Sequence, residues 1–278
     1  MTIRKLFPYY GAKSKMLDNL WPIFEQMAGQ CDSFLDVFGG SAIVLAMVKL
    51  NYPHVRCYYN DMDTNLCNVF QMVKTRPGEL ANKLALFNNA NAPFNELFQI
   101  AKEMSEATGQ IDPIEAAAAT MIRFTYSYSG MGSSPCGIAT GRDEQGSRTN
   151  RENNVLDMIP MWHEIFRDTV ITNLDFPDAV NKFYRAPGAK LVYADPPYIS
   201  YDGKGDGSAY KHKFQFEDFV ALGGVVQNRY CPWIVSHKLD KQFETVIGRA
   251  DHVHSFGVQY TTDDRGLKNA VESLYLYF

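Results

Sequence analysis

The chain has 278 residues, 46% of them hydrophobic and 21% charged, with a net charge of −4, which excludes disorder, collagen and low-complexity scaffolds and sets the expectation at one domain or one plus a lobe. The acidic balance argues against a histone-like or tail-driven nucleic-acid binder while leaving room for a local basic groove. The longest apolar stretch, residues 42–48, is far below the ~20 residues of a membrane-spanning helix, and residues 1–15 carry no signal-peptide apolar core. Cys31, Cys57, Cys67, Cys136 and Cys231 are odd in number and have no Cys-x-x-Cys spacing, so neither a disulfide framework nor a zinc knuckle is supported and an untargeted cytoplasmic protein without a metal site is expected.

In chain order, residues 33–38 read as a buried strand closed by Gly39-Gly40-Ser41 and followed by a helix over 42–50, a strand, glycine turn and helix. A second strand over 55–59 ends at Asn60-Asp61, and a helix over 64–74 is stopped by Arg76-Pro77-Gly78. Helical periodicity then runs from 77 to about 124, including 93–107 and 113–124. Residues 127–154 are dense in Gly, Ser, Arg and Asn and read as a long functional loop or hairpin lobe. Strands are expected at 169–174, 190–194, 232–236, 252–256 and 273–278, and a helix at 217–226. The alternation specifies an open α/β sheet.

Chemistry concentrates at Asp195-Pro196-Pro197-Tyr198, which closes the apolar strand at 190–194. In open α/β sheets ligands bind beyond the carboxyl ends of strands. Two prolines there stiffen the backbone and leave the Pro196 carbonyl free to accept, so it and the Asp195 carboxylate form a rigid double acceptor for both protons of an exocyclic amine. Tyr198 adds a face for a planar base. Phe38-Gly39-Gly40-Ser41 lets the backbone approach a ligand, and Asp61, about twenty residues later, stands where a ribose is held in nucleotide-type folds. A hydride-transfer dinucleotide enzyme would satisfy these last two motifs equally.

Together, Tyr9-Tyr10-Gly11-Ala12-Lys13, Asp36-Val37-Phe38-Gly39-Gly40 and Asp195-Pro196-Pro197-Tyr198, in this order, resemble the Dam-type deoxyadenosine methyltransferases. The resemblance implies a Rossmann-like methyltransferase sheet of seven strands with the last antiparallel, and S-adenosyl-L-methionine as cofactor. It implies a catalytic domain from 1–75 and 155–278 and an inserted helical and β-hairpin target-recognition lobe at 76–154. Cofactor contacts carry over to Tyr9, Lys13, Asp36, Phe38, Gly39, Gly40, Ser41, Asp61 and Asp195, with Asp175-Phe176 resembling the acid–aromatic pair beside the adenine ring. The chain departs from the family in two places: Ala42 stands where a further glycine is usual, and Ser127-Tyr128 replaces the Asn-Arg pair of members that recognise GATC.

The implied reaction is methyl transfer to N6 of an adenine flipped out of double-stranded DNA, with Asp195 and Pro196 localising the amine lone pair and Pro197 and Tyr198 completing the corner. Lys204, Lys211 and Lys213, interleaved with Tyr201, Tyr210 and Phe214, would neutralise phosphates. Arg123, Arg142, Arg148 and Arg151, with Tyr128, are the candidates for reading DNA. Cytosine-N4 methylation and a catalytically silent DNA-binding module of the same fold remain alternatives. Ser134-Pro135-Cys136-Gly137 mimics the Pro-Cys element of cytosine-C5 methyltransferases, but no apolar strand precedes it and it leaves the Asp-Pro-Pro-Tyr unexplained. No obligate protein partner is evident.

Overall fold

The computed structural model describes residues 3–88, 94–106, 111–127, 130, 144–198, 214–239, 241–262 and 266–278, with the backbone alone in residues 88, 94, 95, 97, 106, 144–154, 241, 259–262 and 266–269. The elements are α1 (Leu17–Ala28), β1 (Ser33–Asp36), α2 (Ile43–Asn51), β2 (Arg56–Asn60), α3 (Thr64–Thr75), α4 (Pro77–Asn88), α5 (Phe94–Glu106), α6 (Pro113–Tyr126), α7 (Glu144–Phe166), β3 (Val170–Thr172), α8 (Phe176–Phe183), β4 (Lys190–Ala194), α9 (Phe216–Gln227), β5 (Trp233–Lys238), α10 (Lys241–Ile247), β6 (His252–Thr262) and β7 (Gly266–Tyr277). They build a seven-stranded sheet in the order β3-β2-β1-β4-β5-β7-β6. β1 to β5 are parallel, and β7 runs antiparallel between β5 and β6.

Side chains on successive strand residues point to opposite faces, and the central strands feed two cores accordingly. Phe34, Leu191, Tyr193 and Ile234 pack in one with residues of α2, α3, α6 and α7. Leu35, Val192, Ala194, Trp233 and Val235 pack in the other with residues of α8, α9 and α10. β1 and β4 are therefore buried on both sides, as a parallel sheet covered by helices requires. Leu80, Leu84, Phe98, Ala101 and Ile114 of α4, α5 and α6 belong to the first core, so these helices are fastened to the sheet. No helix among the described residues is long and apolar enough to cross a membrane.

Local chemistry sets the boundaries. Asp63 accepts from the Asn65 amide to cap α3 and Asp112 from that of Ile114 to cap α6, while Pro77 stops α3 and opens α4, since a proline tolerates the first helical turn. Several stretches differ from expectation, among them the short helices α8 and α10, which the expected elements do not include. Residues 144–154, expected in a loop or hairpin, are the first turns of α7; the buried Val155, Ile159, Trp162 and Phe166 anchor this helix, and anchored helices propagate through poor formers. α1 escaped notice because it carries Pro22. β6 and β7 are longer than expected: they pair from His252↔Leu276 to Thr262↔Gly266, whereas β5 reaches back only to Glu272. The hairpin thus projects about 20 Å past the carboxyl edge of the sheet, polar on too many positions to read as strand.

Ala42, at the start of α2, is fully buried and holds φ +56°, the one left-handed non-glycine among the described residues. That backbone costs a residue with a Cβ about 1–2 kcal/mol, and its buried methyl returns about 0.8 kcal/mol. Denaturant unfolding of Ala42→Gly is therefore expected within about 1 kcal/mol of the parent, whereas Ala42→Val, β-branched on the same backbone, is expected to lose about 2 kcal/mol or more. A valine variant as stable as the parent would contradict the strained geometry.

Candidate active site

The strand order reverses between β1 and β4, and the crevice beyond their carboxyl ends is where such sheets bind ligands. Asp36, the last residue of β1, is level with Tyr193 of β4, so Asp195 emerges just beyond it, and Asp61 follows the end of the adjacent β2. A cavity of about 430 Å³ opens there, a size suited to a small organic ligand. Among the described residues it is lined by one ammonium, Lys13, and six carboxyls, Asp36, Asp61, Asp63, Asp175, Asp195 and Asp218.

The glycine turn is held by side chains behind it. Asp61 accepts the Gly40 amide on Oδ2 and the Asp63 amide on Oδ1, both at 2.8 Å, and the Tyr59 hydroxyl donates to the Gly40 carbonyl at 2.9 Å. A Cβ on Gly39 would lie 2.2 Å from the Tyr59 ring, and Gly40 takes φ +46° against the Tyr9 ring, so both positions require glycine. Burial pushes the Asp61 carboxyl up to about 6. Asp36 is 2% exposed, with Oδ1 lacking any hydrogen-bond partner among the described residues. Burial, then the negative charges of Asp195 and Asp61, raise it well above the usual carboxylate range, against the Leu45 amide and Lys13. Phe38, Phe176 and Phe214 meet at ring distances of 5.5, 5.6 and 6.1 Å and line the cavity. Asp175 caps α8 through the Phe176 amide at 2.7 Å.

Lys13 is buried and its Nζ donates to Asp195 Oδ1 at 2.7 Å and to Oδ2 at 2.6 Å. Burial alone would lower this ammonium; Asp195, Glu272 and Asp36 together raise it above its ordinary value, so it stays charged. Burial raises the Asp195 carboxyl to about 6, with Lys13 opposing and Glu272 adding. Pro196 is buried and Pro197 reaches the cavity wall. Tyr198 turns behind Asp195: its hydroxyl donates to Glu272, its ring stands edge-on to His237 at 4.8 Å, and the Lys13 and Lys238 ammoniums lie 5.1 and 5.5 Å from its centroid.

A family profile for D12 class N6 adenine-specific DNA methyltransferases matches residues 9–244, a span from Tyr9 through the Asp-Pro-Pro-Tyr and the first five strands. The chain belongs to that family. It is also similar to the modification methylase StsI of Streptococcus sanguinis, at 21% identity over 205 residues; these cover 71% of this chain and 29% of that protein, so the chain spans under a third of its relative's length. The sheet described above is the Rossmann-like sheet of a methyltransferase.

In this family member Tyr9, Lys13, Asp36, Phe38, Gly39, Gly40, Ser41, Asp61, Asp175, Phe176 and Asp195 all border one cavity, while Tyr198 does not. Arg123, expected to face DNA, needs correction: it is 5% exposed and donates to Ser105 Oγ at 2.6 Å between α6 and α5. A guanidinium spaced on the buried face of an Ala-rich helix is structural. Arg148 and Arg151 lie on the first turns of α7, where only the backbone is described; Tyr128, Arg142, Lys204, Lys211 and Lys213, like Cys136, fall outside the described residues. Sequence reasoning missed Glu272, Ser236 and Asp218. Their motifs are single polar residues, and only the register of β7 on β5 brings Glu272 to the site.

Removing one member of a buried ion pair strands the other. Lys13→Met is expected to cost about 3 kcal/mol near pH 8 and clearly less near pH 5. A carboxyl raised in the folded state costs stability as the pH climbs through its folded value, and losing the ammonium moves Asp195 above its present value of about 6. Thermal unfolding at the two pH values checks this; equal losses would contradict the assigned charge.

Proposed function

We propose that the protein is a site-specific DNA methyltransferase that transfers a methyl group from S-adenosyl-L-methionine to N6 of an adenine flipped out of double-stranded DNA. The observation that carries this reading is the acidic wall of the cavity, six carboxyls and one ammonium among the described residues. A dinucleotide would bring its pyrophosphate to the glycine turn, where the Gly40 amide is already donated to Asp61; a ligand with a sulfonium and an ammonium suits the same walls. The Oδ1 of Asp36, which has no hydrogen-bond partner among the described residues, fits such a group, and the Phe38, Phe176 and Phe214 rings offer an apolar slot for its purine.

The chemistry brought by the bound donor is an activated methyl group, so the protein's task is to position and polarise the acceptor. Asp36 and Asp61 hold the donor's ammonium and ribose, and Tyr9, Lys13, the 38–41 turn, Asp175 and Phe176 complete its cradle. Asp195 and the Pro196 carbonyl accept the two N6 protons and localise the nitrogen lone pair. With its carboxyl at about 6, Asp195 is ionised at neutral pH and basic enough to take the proton that N6 loses as the new N–C bond forms. Tyr198 borders the base from the Glu272 side. Residues 76–154 form the target-recognition lobe of a catalytic domain made of 1–75 and 155–278. Arg142, Arg148, Arg151 and Tyr128 face the target bases, and Lys204, Lys211 and Lys213 the phosphates.

Nucleoside mass analysis of duplex DNA treated with the protein and donor is expected to yield N6-methyladenine, and Asp195→Ala is expected to lower kcat by about a hundredfold or more while retaining donor binding. N4-methylcytosine in its place would reassign the base; near-parental turnover by the variant would remove Asp195 from the mechanism. Activity of the parent is expected to fall with one proton as the pH drops through about 6.

A further inference from the structure

Glu272 reaches the site from β7. Antiparallel pairing sets it opposite Lys238 at the carboxyl end of β5, and it is 1% exposed. Its Oε1 accepts from the Ser236 hydroxyl at 2.9 Å and from the Tyr198 hydroxyl, and lies 3.8 Å from Lys13 Nζ. Glu272 does not line the cavity. A carboxylate buried this deeply is expensive unless partnered, and an apolar residue of similar size would serve packing as well. Its position behind a lysine that already neutralises Asp195 calls for a reason beyond the fold.

That reason lies in the hydrogen bonds of Asp195. Both of its oxygens already accept from Lys13 Nζ, at 2.7 and 2.6 Å, so an amine that donates to Asp195 competes with a charge-assisted bond for the oxygen lone pairs that face the cavity. Nζ has three protons and needs somewhere to direct the one it withdraws.

We propose that Glu272 is a positioning residue for methyl transfer: it gives the Lys13 ammonium a second anchor, so that Asp195 exchanges a lysine hydrogen bond for one from the incoming exocyclic amine, and it fixes Tyr198 by its hydroxyl. This rests on the methyltransferase reading above. Lys13 moves between two carboxylates without leaving the site, and the group Asp195–Lys13–Glu272 keeps one net negative charge beside the nitrogen that becomes positive as the methyl arrives. Asp195 is faced by Lys13 from the N-terminal segment, Glu272 from β7, Asp36 from β1, and Tyr193 and Tyr198 from its own segment, with Lys238 of β5 over the Tyr198 ring. Burial and the neighbouring carboxylates hold the Tyr198 phenol well above its usual value, so it remains a donor to Glu272.

The test is Glu272→Gln, which keeps the shape and the acceptor for Ser236 and Tyr198 but removes the charge. Single-turnover methylation is expected to slow about tenfold or more, donor affinity by calorimetry to stay within about twofold, and the acid limb of the pH–rate profile to move down by about half a unit or more, because Asp195 loses a neighbouring negative charge. A purely structural role would reduce the active fraction and leave that midpoint in place. Parental rates with an unmoved midpoint overturn the inference; an inactive parent in the same assay overturns the methyltransferase reading and the inference with it. If the glutamine variant does not fold, Glu272→Asp keeps the charge but withdraws it by one methylene. It is expected to turn over about fivefold more slowly with the midpoint unmoved, and parental rates there overturn the inference as well.

Discussion

The site is organised around one buried ammonium. Lys13 Nζ lies 2.7 and 2.6 Å from the two oxygens of Asp195 and 3.8 Å from Glu272. A lysine is driven toward neutrality by burial and toward charge by carboxylates; here the carboxylates prevail. Remove that charge and the carboxyls of Asp36, Asp195 and Glu272 repel one another in a medium that screens them poorly. The interaction joins the N-terminal segment to the end of β4 and, through Glu272, to the last strand, so this corner depends on parts of the chain that meet only in the finished sheet.

The second constraint is the glycine turn. In a phosphate-binding turn the backbone amides point at the ligand; here Asp61 already takes the Gly40 amide, and Tyr59 fills the space behind Gly39. A motif that suits either a dinucleotide or a cationic donor thereby has one fewer amide free for a pyrophosphate, which supports the proposed donor. The cavity wall combines the Phe38, Phe176 and Phe214 rings with the Lys13–Asp195 pair. Phe38 and Asp195 follow the carboxyl ends of the buried parallel strands β1 and β4, rigid elements of the kind that a reaction governed by positioning needs.

Much of this was legible in the chain because the informative patterns are local. β4 matches its expected bounds, the glycine turn and Asp61 lie where spacing puts them, and alternating strand and helix implied the sheet. The losses share a cause: they depend on neighbours distant in sequence. Glu272 is one acid in a strand of mixed polarity, 74 positions from the Tyr198 it holds. Arg123 reads as a DNA contact until α5 packs across it with Ser105. Residues 144–154 look like a loop until the buried residues downstream anchor α7, and Ala42, a departure from the family's glycine, proves to hold the glycine backbone with a methyl attached.

The central claim, that the acid-walled cavity is built for a positively charged methyl donor beside Asp195, is tested most directly by titration calorimetry of the protein with S-adenosyl-L-methionine. Saturable one-site binding, weakened about tenfold or more when the unpartnered carboxyl is neutralised in Asp36→Asn, is the expected result. No heat at any protein concentration, or an Asp36→Asn variant that binds as tightly as the parent, would contradict it.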